Sequence, residues 1–275
     1  GGLMDPEVRQ EVTGFFYSKK IGDRWWIIDP LGYPCYIRAM HSVNMNYLGS
    51  QNQYNEALKL YGSSEKWQIA VCNWLKNDLG FNTVDSQNGF SNVENRMVYQ
   101  AGAGSYAAGY GSKLGVNSSN GGSTTFSENN TMPIMDPGFV EYCDEKASAL
   151  EKNKDDPWRL GYTTDNELPM NEDMLGNYLT VDYTNPANYY SYAAAWTWLI
   201  NMTGKESPSG EDIDDELQEL YRGFVWDRYF NVVCGAVRKY DNEHMLLGTR
   251  FLTRVNEAEW VLRFASLYLD AITIN

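Results

Sequence analysis

The sequence predicts an α/β fold of the TIM or (β/α)8-barrel type, incomplete in this chain and preceded by an N-terminal β-hairpin. Three observations carry that prediction. Short apolar runs of strand length alternate with segments whose apolar residues recur at helical spacing, which implies strand–helix–strand units and parallel strands. Where the pattern is clearest, a single glycine, Gly80, closes the turn from helix to strand. The strand runs also end in polar residues, and the carboxyl end of a barrel strand is where a site is built. About six strand signals are present, whereas a closed barrel of this type needs eight. The expectation is therefore about six of eight β/α units, with the natural protein continuing past Asn275. A doubly wound open sheet of six strands is the rival reading, and it needs no further strands. Residues 1–33 are expected to form an extension and hairpin, and residues 34–275 the barrel domain without its last strands.

In chain order, Gly14–Ser18 and Arg24–Ile28 read as the hairpin strands, with Gly22-Asp23 in the turn. Asp29-Pro30-Leu31-Gly32-Tyr33-Pro34 is a further turn, since proline fixes φ and glycine permits φ > 0. Pro34–Val43 reads as the first core strand, ending in His41-Ser42-Val43-Asn44. Ser63-Ser64-Glu65 opens a helix with Trp67, Ala70, Val71, Trp74, Leu75 and Leu79 at helical spacing. Phe81–Asp85 is the second strand, ending near Ser86-Gln87-Asn88. Residues 100–125 are rich in Gly, Ser and Asn and contain no phosphate-loop motif; a weak third strand over Tyr106–Val116 and a long loop are expected there. Asp136-Pro137 caps a helix presenting Phe139, Val140, Cys143, Ala147 and Leu150 on one face. Trp158–Tyr162 is a buried fourth strand that ends in Thr163-Thr164-Asp165-Asn166-Glu167. Helices are expected from Asn185-Pro186 through Leu199 and from Asp212 to Tyr240. Met245–Phe251 is the fifth strand, Glu257–Tyr268 a helix and Asp270–Asn275 the sixth strand.

Bulk properties narrow the function. A hydrophobic share of 43% with 14% aromatics is incompatible with a disordered chain. A net charge of −14 argues against nucleic-acid or anionic-membrane surfaces and is compatible with a neutral polymer. Nine Trp and twenty Tyr supply flat amphipathic rings suited to stacking on sugars, although such rings also build cores. No apolar run approaches the roughly 20 residues of a membrane span. Cys35, Cys72, Cys143 and Cys234 lie far apart in apolar stretches and read as buried free thiols. No His, Cys or carboxylate cluster has metal-ligand spacing, so neither a catalytic metal nor another cofactor is expected.

Several local patterns resemble the agarase-like branch of clan A, the retaining glycoside hydrolases whose barrels carry both catalytic glutamates. Asp23-Arg24-Trp25-Trp26-Ile27-Ile28-Asp29-Pro30-Leu31-Gly32-Tyr33-Pro34 is similar to that family's approach to its first strand, and Gly80-Phe81-Asn82-Thr83-Val84 to its second-strand motif. Gly161-Tyr162-Thr163-Thr164-Asp165-Asn166-Glu167 resembles the fourth-strand G-Y-x-x-D-N-E. Arg238-Lys239-Tyr240-Asp241 with His244–Phe251, and Asp270–Asn275, resemble the fifth- and sixth-strand motifs, with Asn242 standing where the family has proline. The matches run in the family's order from about residue 20 to the last.

The resemblance implies a glycosidase that cleaves β-linked polysaccharide of the agarose or galactan kind by double displacement. Glu167 would be the general acid/base, and Asn166 would hold the sugar 2-hydroxyl as both donor and acceptor. The family's nucleophile belongs at the end of a seventh strand, so no glutamate here takes that role, and this chain alone is expected to be inactive. His41, Asn44, Asp85, Gln87, Asn88, Arg250 and Asn275 lie at strand ends or just beyond and are candidate substrate contacts. Asp165 either orients its neighbours or binds substrate, and His244, at the opposite end of its strand, is expected to be structural. A secreted or periplasmic location would suit a polysaccharide-degrading enzyme. The alternative is a carbohydrate-binding barrel without the chemistry.

Overall fold

A computed structural model describes residues 2, 4–85, 97–120, 123–252 and 258–274. Its strands are β1 (Tyr17–Ile21), β2 (Arg24–Ile28), β3 (Pro34–Cys35), β4 (Ala39–His41), β5 (Thr83–Asp85) and β6 (Val98–Gly102). They continue with β7 (Asn117–Asn120), β8 (Ser123–Phe126), β9 (Arg159–Thr163), β10 (Met245–Leu246), β11 (Arg250–Phe251) and β12 (Thr273–Ile274). By packing, the chain divides into two units. The first comprises Gly1–Gly102, Asn153–Tyr162 and Glu243–Met245; the second comprises Ala103–Lys152, Thr163–Asn242 and Leu246–Asn275. No helix among the described residues is long and apolar enough to cross a membrane.

In the first unit, β1 and β2 pair antiparallel with Ile21 opposite Arg24, and Gly22 takes φ 59° in the two-residue turn. The hairpin starts later than expected because Gly14 sits at φ 83° and the Phe15 N–H bonds back to Thr13 Oγ1. The expected continuous strand Pro34–Val43 is two strands. β3 pairs with β2, and β4 joins a different sheet. The break has a local cause: Asn82 Oδ1 accepts from the Arg38 N–H at 2.8 Å and its Nδ2 donates to the Tyr36 carbonyl at 2.7 Å. One amide side chain thus takes the place of a strand ladder.

The central sheet has the order β10-β9-β6-β5-β4, with β4, β5 and β6 parallel. Its strands follow chain order without reversal. A doubly wound sheet reverses direction at a switch point, so the rival reading is overturned in favour of singly wound, mixed α/β architecture. Helix Ser64–Asn77, capped by Ser63 Oγ on the Lys66 N–H, lays Trp67, Cys72 and Leu75 against Val84 and Tyr99. Helix Gln51–Tyr61 is absent from the sequence-based expectation. It buries no residue fully, and its Gln-Asn-Gln-Tyr-Asn start carries little apolar periodicity.

The third strand is Val98–Gly102, and Ala107–Lys113, expected to be extended, is a helix. The fifth strand also divides: Gly248 takes φ 71° between β10 and β11, and β11 pairs parallel with β12. In the second unit, helix Asp215–Tyr240 begins at Asp214, whose carboxylate accepts from the Leu217 N–H at 2.9 Å. Tyr221, Val225, Trp226, Tyr229, Phe230, Val233 and Val237 recur at helical spacing and are all essentially buried. They pack the helix against Gly138–Ser148, through Phe139, Cys143 and Ala147, and against Glu259–Tyr268, through Val261 and Ala265. Val140, expected on the buried face, is 47% exposed.

This packing can be tested in two places. A Cβ on Gly161 would lie 2.5 Å from the Met245 carbonyl oxygen and 2.9 Å from its Cβ, so β9 approaches β10 as only glycine allows. Gly161→Ala is expected to cost about 1–3 kcal/mol in chemical denaturation, and an unchanged midpoint would refute the close approach. All four cysteines are buried and free, and burial pushes the Cys35 and Cys72 thiols up to about 11 and Cys234 to about 12. A disulfide reagent is expected to titrate them only after denaturant is added.

Candidate active site

Every residue of β9 is buried, and the segment Thr164–Glu167 follows directly at its carboxyl end. Thr164 and Asp165 turn inward. Asp165 is 3% exposed, and its carboxylate is surrounded by donors from elements distant in sequence. Oδ1 accepts the N–H groups of Tyr106 and Ala108, each at 3.0 Å; Oδ2 accepts the Ala107 N–H at 3.0 Å and the Tyr229 hydroxyl at 2.8 Å. Thr164 Oγ1 lies 2.7 Å from the same Tyr229 oxygen, and Thr249 Oγ1 donates to the Asp165 carbonyl at 2.7 Å. Burial pushes the Asp165 carboxyl above the ordinary carboxylate range, while the three backbone N–H groups and the phenol pull it back. Asp165 is therefore the first-turn anchor of helix Ala107–Lys113 and faces into the protein. It is a positioning residue rather than a substrate contact.

Asn166 and Glu167 are partly exposed. The Asp165 carbonyl accepts the Arg250 N–H at 3.2 Å and the Arg250 carbonyl accepts the Glu167 N–H at 2.9 Å, a parallel bridge between Asn166 and Arg250. On the other side, Thr124 Oγ1 donates to the Asn166 carbonyl at 2.6 Å and the Thr124 N–H to the Glu167 carbonyl at 3.3 Å. Ser123 Oγ donates to Glu167 Oε2. Glu167 itself has φ 48°, a left-handed conformation that costs a non-glycine residue roughly 1–2 kcal/mol. Such strain persists where neighbours over-determine it, and it concentrates at functional sites. Backbone bonds from both flanks meet that condition here.

The structure thus brings together Asn166, Glu167 and Arg250 in the second unit, and adds Ser123, Thr124, Thr164 and Tyr229, which sequence reasoning misses. Thr124-Thr125-Phe126 after two glycines is a hairpin signal, and β7 and β8 do pair antiparallel. Tyr229 gives no local signal, because its place in an apolar helix stripe hides its hydroxyl. In the first unit, His41 and Asp85 stand in register at the carboxyl ends of β4 and β5. Asn44 Oδ1 accepts the Asn46 N–H at 2.9 Å and so caps the short helix Met45–Tyr47. Gln87, Asn88 and Asn275 lie outside the described residues. His244 is fully buried, with Nε2 2.8 Å from the Asp156 carbonyl and its ring edge-on to Phe15 and Tyr162. That is a structural histidine. Among the described residues, no group of His, Cys, Asp or Glu could hold a metal ion.

Solved structures of other proteins share this fold. The chain superposes on BpGH50 with a TM-score of 0.77 and 23% identity, over 97% of this chain and 59% of that one. It superposes on an agarase, AgWH50C, with a TM-score of 0.69 and 20% identity, over 100% of this chain and 47% of that one. An exo-beta-agarase gives a TM-score of 0.69 and 17% identity, over 97% of this chain and 50% of that one. The chain shares its fold with the matched parts of these structures. It spans about half to three-fifths of the length of these structures. No family model matches the sequence, and a search of curated proteins found no match. The agarase-fold resemblance anticipated from the motifs is therefore met at the level of structure, across the whole chain.

The Asp165 anchor yields a test. Both carboxylate oxygens accept backbone N–H groups, so an amide in either orientation would turn its NH2 against a donor. Asp165→Asn is therefore expected to destabilise nearly as much as Asp165→Ala, by about 3–5 kcal/mol in chemical denaturation, because buried donors lose their acceptor. A loss below about 1 kcal/mol in either variant would contradict the anchor.

Proposed function

We propose that this chain carries the acid/base half of a retaining glycoside hydrolase that cleaves β-glycosidic bonds in a neutral, agarose- or galactan-like polysaccharide, with Glu167 as general acid/base. The observation that carries the reading is the backbone of Glu167. A glutamate is held left-handed at the end of a fully buried strand, fixed on both sides by main-chain bonds, with a hydroxyl on its carboxylate. Support comes from the agarase fold over the length of the chain and from the motif order of the sequence.

In double displacement, a carboxylate about 5–5.5 Å from the acid attacks the anomeric carbon, while the acid protonates the departing oxygen. The same acid then takes a proton from the water that releases the sugar. Glu167 suits the proton-transfer role because the residue is partly exposed and its carboxylate accepts a hydrogen bond from Ser123. Asn166 supplies an amide next to it, and Arg250 bonds to the Asp165 carbonyl and the Glu167 N–H on either side of Asn166 while remaining a candidate substrate contact. His41, Asn44, Asp85, Asn88 and Asn275 stay proposed sugar contacts. No glutamate of these 275 residues is assigned as the nucleophile. The carbohydrate-binding alternative keeps the sugar contacts and drops the proton transfer.

In the full-length protein, Glu167→Gln is expected to lower turnover of a neutral galactan on the order of 10²–10⁴-fold, while leaving substrate affinity within a few-fold. Near-wild-type turnover in that variant would sink the assignment. Binding without turnover in both the variant and the parent would favour the non-catalytic alternative.

A further inference from the structure

Within the second unit, a ring of contacts leaves the strand-end segment at Asp165 and returns to it at Glu167. Asp165 holds the start of helix Ala107–Lys113. The β7–β8 hairpin seats on the same helix at Gly111. A Cβ there would lie 2.6 Å from the Phe126 ring and 3.2 Å from the Asn117 Cβ, an approach that only glycine allows. Phe126 is buried, and the Val116 N–H donates to the Gly111 carbonyl at 2.8 Å. Asn117 Nδ2 donates to Ser112 Oγ at 2.9 Å, and the Ser127 N–H closes the open end of the hairpin on the Val116 carbonyl at 2.7 Å.

The far end of β8 completes the ring. Ser123 is its first residue, paired in register with Asn120. Its neighbour Thr124 is docked on the main chain of the strand-end segment, with Oγ1 on the Asn166 carbonyl and N–H on the Glu167 carbonyl. Ser123 is thereby carried to the Glu167 side chain, 44 residues away in sequence, and its hydroxyl donates to Oε2. Thr124 thus bonds the backbone of the proposed acid/base, and Ser123 bonds its carboxyl.

A carboxyl that gives up a proton uses one oxygen for it while the other accepts. We propose that Ser123 is a positioning residue for Glu167: by donating to Oε2 it holds the carboxyl so that Oε1 carries the transferred proton. In the first step the Oε1–H bond breaks and its electron pair stays on the carboxylate. The proton passes to the glycosidic oxygen as the bond from that oxygen to the anomeric carbon breaks. The hydrogen bond from Ser123 then becomes charge-assisted, and such bonds are about twice as strong as neutral ones. It strengthens as the proton leaves, and an interaction that strengthens toward the transition state raises the rate of the chemical step. The inference rests on the glycosidase reading of Glu167 and deepens it.

The test uses the full-length protein and two substrates. One is a neutral β-linked galacto-oligosaccharide; the other carries a dinitrophenyl group at the scissile bond, whose phenolate departs without a proton. On the oligosaccharide, Ser123→Ala is expected to lower kcat roughly 10- to 100-fold with KM within a few-fold. On the dinitrophenyl substrate, kcat/KM is expected to stay within about threefold of the parent, because that step no longer needs the acid. Ser123→Thr keeps the hydroxyl and is expected to return oligosaccharide turnover to within a few-fold of the parent. An equal loss on both substrates, or no recovery in Ser123→Thr, would make the role of Ser123 structural and overturn the inference. Glu167→Ala, measured in parallel, separates the two readings. If it shows the dependence on leaving group while Ser123→Ala keeps full turnover, the inference fails and the Glu167 assignment stands. If Glu167→Ala turns over both substrates like the parent, or the parent turns over neither, the assignment fails and takes the inference with it.

Discussion

The candidate site depends on one buried carboxylate. Asp165 gathers three consecutive backbone N–H groups from the start of helix Ala107–Lys113 and the hydroxyl of Tyr229 from the middle of helix Asp215–Tyr240. A carboxylate is expensive to bury unless its lone pairs are filled. Here they are filled by partners 57 to 64 residues away in sequence. The interaction therefore ties two helices of the second unit to the segment that follows β9. It also supplies the acceptor that lets an Ala-Ala-Gly-Tyr-Gly segment begin a helix without a local cap.

With the strand end anchored, the next two residues become positionally determined. Arg250 bonds to the Asp165 carbonyl and the Glu167 N–H that flank Asn166, and Thr124 bonds to the Asn166 and Glu167 carbonyls. The left-handed backbone of Glu167 is offset by those bonds. A site meant for proton transfer needs its carboxyl within hydrogen-bond reach of one oxygen and held there. The tripeptide Asp165-Asn166-Glu167 divides that labour: the first residue faces inward as anchor, and the other two are partly exposed as candidate chemistry.

Much of this is legible in the chain itself. Helix Ser64–Asn77 and the two long helices of the second unit announce themselves through Ser63, Asn185-Pro186 and Asp212, the last starting two residues later than expected, at Asp214, with apolar periodicity behind them. Glu167 stands out because a short apolar run ends in an amide and two carboxyls. The misplaced third strand has a physical explanation: Tyr106–Val116 carries no helical stripe, and the acceptor that starts its helix lies in β9's extension. Met245–Phe251 reads as continuous because nothing local reveals that Gly248 turns left-handed between two different strand pairings. Pro34–Val43 fails similarly, since its interruption depends on the side chain of Asn82.

By itself the sequence determined the alternation of strands and helices and the burial of the cysteines. These are properties of local pattern and composition, which propensity and periodicity encode directly. Tertiary structure decided the role of Asp165, the hydroxyls of Ser123 and Tyr229, the left-handed backbone of Glu167 and the strand order that excludes a doubly wound sheet. Each of those depends on which distant groups meet. A buried polar atom takes the partner that folding brings to it, and no window of the sequence names that partner.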